Sequence, residues 1–262
     1  MANEPTSEER LFCKLALKYG ILSKIQIKEC LKFKKLDNSP KPLAVLLIER
    51  GYLTDEKLEE ILSIHEKNIQ AFLERGHQYK ESRDFEKAAL DFTTVLKNNP
   101  EHVEALLNRG SAYIGLHEYS KAIEDFDRVL ELDPNNAVAY TNRGVAYNHL
   151  GQIEKALENL AKAIALDAQN AKAHYCLGVA YHFKKQYQNA QQEYTKAIEL
   201  DPQMADAYNN RGVIFTLFKQ YDQAIPDWEA ALKIDPQFTS VKLNLQVLLK
   251  RREMLNKQEN KS

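Results

Sequence analysis

Gly76, Gly110, Gly144, Gly178 and Gly212 stand at one constant interval along the chain. An interval held four times running means that one supersecondary unit has been copied along the chain, and it excludes most folds before any local reading. The rest of the pattern moves with the glycines. Three positions after each comes an aromatic (Tyr79, Tyr113, Tyr147, Tyr181, Phe215), and twelve after comes an alanine (Ala88, Ala122, Ala156, Ala190, Ala224). Twenty-four after come Pro100, Pro134, Ala168, Pro202 and Pro236.

The second copy shows what one unit does. Leu106, Gly110, Tyr113 and Ile114 recur at helical spacing, and so do Tyr119, Ala122, Ile123, Phe126 and Leu130. This pattern predicts two amphipathic helices of roughly 14 residues each. Gly115, Leu116 and His117 supply the turn between them, and Pro134 ends the second helix. Gly110 lies inside a helix, where glycine costs about 1 kcal/mol against alanine. Close approach of the partner helix is the compensation expected. A single hairpin cannot bury its own apolar face, so neighbouring copies must stack.

These residues resemble the tetratricopeptide repeat family. Its pattern asks for a large residue, here Phe72, Leu106, Tyr140, His174 or Tyr208, then Leu-Gly, an aromatic, alanine, a second aromatic, alanine and proline. The second aromatic is Phe92, Phe126, Tyr194 or Trp228, with Leu160 in the third copy. The small residue that follows it is Ala163, Ala197 or Ala231, and Val95 or Val129 in the first two. The resemblance covers residues 69–237 and implies an all-α fold, a right-handed α-solenoid of five helix hairpins. The departures are Ala168 in place of proline, and Pro226 inside the last second helix, where it is expected to bend the helix.

The expected organisation is a flexible N-terminus (1–8), an N-terminal helical unit (9–68), and five repeats (69–102, 103–136, 137–170, 171–204, 205–238). A capping helix (239–256) and a flexible tail (257–262) follow. The N-terminal unit has its own internal copy, in which Leu15 to Ser23 matches Leu46 to Thr54 position for position. Each copy reads as a short helix, a glycine terminus at Gly20 or Gly51, a cap at Ser23 or Thr54, and a longer helix. Asp37 to Pro42 is the connector. This segment resembles the N-terminal domain of type II secretion ATPases, whose paired copies bind cyclic di-GMP in some members. Those copies begin Arg-Leu-Gly and end in Gln. Here the starts are Leu11-Phe12-Cys13 and Pro42-Leu43-Ala44, and the ends are Lys34 and His65. No glycine or proline interrupts Asp55 to Arg75, which predicts one helix shared with the first repeat. Beyond the fifth repeat, Phe238, Val241, Leu245, Leu248 and Leu249 keep helical spacing, and Lys250-Arg251-Arg252 is read as helix-end solvation.

With 36 basic and 37 acidic residues the net charge is −1, which offers no argument for nucleic acid or an anionic membrane. Cys13, Cys30 and Cys176 lack metal-ligand spacing and read as reduced thiols. No apolar run approaches the ~18 residues of a membrane span, and Met1 to Arg10 lacks a signal-peptide core. A cytoplasmic protein is expected.

The family geometry aims residues two before each glycine into a concave groove. They are Glu74, Asn108, Asn142, Cys176 and Asn210. A primary amide both donates and accepts, so Asn108, Asn142 and Asn210 could hold a peptide backbone in either polarity. The repeats of O-linked N-acetylglucosamine transferase grip extended peptides with such a ladder. Val145, Val179 and Val213 lie beside them, with Thr141, Tyr175, Asn209, Asn148, His182 and Phe183, an apolar strip with polar flanks suited to an extended segment or a helix. No copy supplies the Lys and Asn of a terminal-carboxylate clamp. Arg75, Arg109 and Arg211 precede their glycines and meet Asp91, Asp125 and Asp227 sixteen positions on, which reads as structural ion pairing. His174 and His182 are two turns apart with no third ligand, and no phosphate loop or nucleophile elbow is present. The expected function is a non-catalytic scaffold with no cofactor and no metal, binding protein partners in the groove. The alternatives are an adaptor whose N-terminal unit senses a cyclic dinucleotide, and a repeat that self-associates.

Overall fold

The computed structural model describes residues 5–36 and 41–259. All regular structure among them is helical. The order is α1 (Ser7–Lys18), α2 (Lys24–Leu36), α3 (Leu43–Glu49), α4 (Asp55–Glu81), α5 (Phe85–Asn98), α6 (Val103–Gly115) and α7 (Tyr119–Leu132). There follow α8 (Ala137–His149), α9 (Ile153–Leu166), α10 (Ala171–Phe183), α11 (Tyr187–Leu200), α12 (Ala205–Leu217), α13 (Tyr221–Ile234) and α14 (Thr239–Glu259). The chain forms two compact units, one ending at Leu116 and one beginning at His117.

In the first unit, α1 starts on a reciprocal cap between Thr6 and Glu9, so the segment expected to be flexible through residue 8 is already helical at Ser7. Residues 1–4, most of the connector (37–40) and the end of the tail (260–262) lie outside the described part. Gly20 and Gly51 take the left-handed φ values +68° and +71° at the ends of α1 and α3. Ser23 and Gln26 cap α2 reciprocally, and Thr54 accepts the Lys57 amide at the start of α4. Ala16, Leu22, Ile27, Cys30, Leu43, Leu47, Leu53 and Ile61 form the core of this region. Helix α4 runs unbroken for 27 residues, about 40 Å at ~1.5 Å per residue. The boundary expected at residue 68 therefore falls inside it.

The repeat glycines let a side chain sixteen positions on lie against the helix backbone. A Cβ at Gly76, Gly144, Gly178 or Gly212 would stand 2.6–2.8 Å from Phe92, Leu160, Tyr194 or Trp228 respectively. Gly115, expected in a turn, is instead the last residue of α6 and makes room for Phe85, whose ring would lie 2.6 Å from an added Cβ. The turn residues proper are Arg83, His117, Gly151, Lys185 and Lys219, all at φ between 59° and 69°.

Between repeats the turn is set by an acid or amide, not by proline. Asn99, Asp133, Asp167, Asp201 and Asp235 each accept the amide two positions on, at 2.9–3.1 Å. Repeat three makes the same turn with Ala168. Helix α13 continues through Pro226, its sixth residue. Helix α14 runs to Glu259, past the limit expected at 256.

Candidate functional site

Odd and even helices divide the work in the second unit. Helices α9, α11 and α13 bury Ala156, Leu160, Ala163, Ala190, Tyr194, Ala197, Ala224, Trp228 and Ala231. Helices α8, α10 and α12 bury Ala139, Ala146, Ala173, Ala180, Ala207 and Ile214 on one side. Their other side carries Val145, Val179 and Val213, all half-buried at one repeat position. Beside them Phe183 and Leu217, again one repeat apart, are 64% and 52% exposed. Leu217 escaped the sequence reading. Its signal was its phase, five positions after a repeat glycine, on a helix whose buried side was already accounted for.

The polar flanks are less free than their spacing implied. Asn142 is buried and accepts Lys172 Nζ at 2.9 Å. Asn210 donates to the Tyr175 hydroxyl at 3.3 Å and accepts from Asn209 at 3.2 Å. Asn148 donates to the Cys176 carbonyl at 3.0 Å. His182 meets Tyr187 edge-on at 5.6 Å. Tyr175 lies 5.9 Å from Tyr194, and burial pushes both phenols above their usual range. Burial also lifts the Cys176 thiol to about 11, so it stays protonated at neutral pH. Burial lowers the His182 pKa and keeps that ring neutral. Asn108 belongs to the first unit. There it accepts Lys80 Nζ at 2.5 Å and donates to the Glu104 carbonyl at 2.8 Å.

The arginines act as staples. Arg75 binds Asp91 through two bonds of 2.7 Å. Arg211 binds Asp227 through bonds of 2.7 and 2.8 Å, and its third nitrogen reaches back sixteen positions to Thr195 at 3.1 Å. Arg143 likewise reaches forward to Asn159 and back to Asp127, and Arg109 reaches back to Thr93 at 3.2 Å. Asp125, in the second unit, is buried. The backward arm was not read from the sequence, although a signal existed. The backward position is Thr93, Asp127 and Thr195 where an arginine waits, and Ala161 where Leu177 replaces it. In that fourth repeat Glu193 takes His174 instead, at 2.7 Å.

In the first unit, Lys34 is buried and bonded to Glu9 at 2.5 Å, and Glu9 also accepts the Leu43 amide at 2.8 Å. Lys34 thus serves an internal pair. An apolar cleft of about 560 Å³ lies nearby, lined by Phe12, Leu15, Leu43, Leu58, Ile61 and Ile69 among others. Among the described residues no cluster of histidine, cysteine or carboxylate could hold a metal, and no helix is long and apolar enough to cross a membrane.

This hairpin architecture, with its glycine-ring packing, is that of tetratricopeptide repeats. Tetratricopeptide repeat family models match residues 73–137, 126–158, 171–204 and 205–238, and a TPR repeat model matches 146–184. The chain therefore belongs to the tetratricopeptide repeat family over residues 73–238. Among solved structures, a crystal structure of MamA is 29% identical, covering 63% of this chain and 96% of its own, with a TM-score of 0.52. A thermophilic TPR protein from Thermus thermophilus is 21% identical over 69% of this chain and 98% of its own, with a TM-score of 0.61. YrrB, described as a TPR protein with an unusual peptide-binding site, is 20% identical over 67% and 90%, with a TM-score of 0.50. No curated protein matches the chain.

Proposed function

We propose that this protein is an interaction scaffold that takes an extended segment of a partner protein along the face formed by α8, α10 and α12. The observation that carries this reading is the row of Phe183 and Leu217, exposed beside the valine strip Val145, Val179 and Val213. Large apolar groups held in water on rigid helices are a standing source of binding free energy, about 25 cal/mol per Å² covered. The amide of Asn142 acts through its neighbour: Lys172, exposed at the rim, is held as a donor to backbone carbonyls, while Asn210 holds the Tyr175 hydroxyl inside. The described peptide-binding site of YrrB, on the same fold, supports this class of partner.

The test is affinity isolation with the wild-type chain and with a Phe183→Ser/Leu217→Ser double variant, followed by titration with the purified partner. Both residues are exposed, so the variant keeps its fold. Partners lost by the variant, with at least about a tenfold weaker Kd, support the reading. Equal binding by both proteins refutes it.

A further inference from the structure

The last helix, expected only to cap the stack, keeps the register of the repeats. Helices α8, α10, α12 and α14 begin at Ala137, Ala171, Ala205 and Thr239, each one repeat length after the last. The burial pattern follows the same phase. Ala139, Ala173, Ala207 and Val241 are all 0% exposed. Ala146, Ala180 and Ile214 are likewise fully buried, and Leu248 nearly so. Val241 and Leu248 pack on Phe215, Ala224 and Trp228, as the equivalent residues of an inner helix must.

The register decides what α14 presents. Val145, Val179 and Val213 are followed by Val247, and Asn142, Cys176 and Asn210 by Asn244. Thr141, Tyr175 and Asn209 are followed by Leu243. Leu243 and Val247 are each 60% exposed, and no described residue covers them. A helix that only ends a stack would carry polar residues there. The row of Asn148, His182 and Thr216 ends in Lys250, which is exposed and begins the basic run Lys250-Arg251-Arg252. The repeat glycine is replaced by Gln246. The glycine of the pattern is lost, while the helical register is kept.

We propose that α14 is a sixth inner helix of the binding face, and that Leu243, Val247 and Lys250 form its terminal subsite. The subsite takes an apolar side chain of the bound segment followed by a carboxylate. The leucine and valine side chains supply the apolar floor, and Lys250 supplies the complementary charge, since Arg252 is already paired with Asp222 at 3.2 Å. The inference rests on the α8–α10–α12 face being the binding surface, and it adds both the length and the chemistry of the segment bound.

The probe is a set of short peptides selected from a random displayed library on the full chain, then synthesised with a fluorophore and measured by anisotropy. Four proteins are compared: wild type, Phe183→Ser/Leu217→Ser, Val247→Glu and Lys250→Glu. Circular dichroism confirms that each is folded. The expected result is enrichment of peptides with an apolar residue followed by Asp or Glu. Affinity falls about tenfold or more in all three variants, and a peptide with Lys in place of its carboxylate regains affinity for Lys250→Glu. Peptides weakened by Phe183→Ser/Leu217→Ser alone overturn the α14 subsite and leave the face intact. Peptides weakened by none of the variants, or recovery of no binding peptide, overturn both readings. Self-association by light scattering that Val247→Glu abolishes would assign α14 to a second copy and overturn the peptide subsite.

Discussion

Within the five repeat hairpins the turn between the two helices bends through the left-handed backbone region, and only one of the five uses glycine. Arg83, His117, Lys185 and Lys219 lie at φ 59–61°, against 69° for Gly151. An L-residue there costs about 1–2 kcal/mol. Replacing it by glycine removes that strain but adds unfolded-chain entropy of about 0.5–1 kcal/mol. What the side chain does in the fold sets the net effect. Lys185 and Lys219 are exposed, and their side chains hydrogen-bond no described residue, while their amides close the turn onto His182 and Thr216 at 2.9 and 3.0 Å. Their exchange loses nothing but strain, so Lys185→Gly and Lys219→Gly each stabilise by about 0.5–1 kcal/mol. His117 differs, because its Nδ1 lies 2.7 Å from the Tyr119 hydroxyl and its ring meets that of Tyr119 edge-on. His117→Gly loses that contact and comes out near neutral. The reverse change, Gly151→Ala, has open space for its Cβ, so the strain less the unfolded-chain entropy removed costs about 0.5–1 kcal/mol. The assay is urea unfolding followed by the single tryptophan, Trp228, which is buried in the last repeat, with circular dichroism alongside. Combined, the two lysine changes raise stability by about 1–2 kcal/mol and the midpoint temperature by roughly 3–6 °C. A lower stability for Lys219→Gly, or none lost in Gly151→Ala, would refute the argument.

The staples differ in depth, and their deletion should show it. Asp227→Ala leaves Arg211, 17% exposed, without its carboxylate and destabilises by about 3 kcal/mol; Asp91→Ala frees Arg75, which is 52% exposed and regains water, at about 1–2 kcal/mol. Equal losses in calorimetry would contradict this reading. Burial opposes ionisation of Glu9, but the Lys34 bond and the Leu43 and Thr6 amides outweigh it and hold its carboxyl below the usual 4.5. The stability it contributes is therefore present above pH 4.5 and is lost as the pH falls through the lower folded value. Glu9→Gln should destabilise the α1–α3 region by about 3 kcal/mol and flatten this acid dependence in hydrogen exchange. An unchanged acid profile would count against the pair.

The residue pattern was enough to establish the repeat, its period and the hairpin, because each copy must present the same apolar positions to stack on the next. It also carried α4, since nothing from Asp55 to Arg75 breaks a helix. Three further features emerge only from packing in three dimensions. The glycines matter for the ring or leucine lying on them, a contact between residues sixteen apart that no local pattern displays. Arg143 and Arg211 each reach two neighbours, and the second, although its position carries a sequence signal, is made only once hairpins are stacked. The last helix keeps the phase of the inner helices. Its glycine is gone, so its motif vanished, yet Val241 and Leu248 still dock in the cluster of Trp228 of α13 in the repeat's register. Packing preserves register by burying two positions per helix. A sequence motif needs many more, which is why an inner-helix register persists where the pattern of residues had already ended.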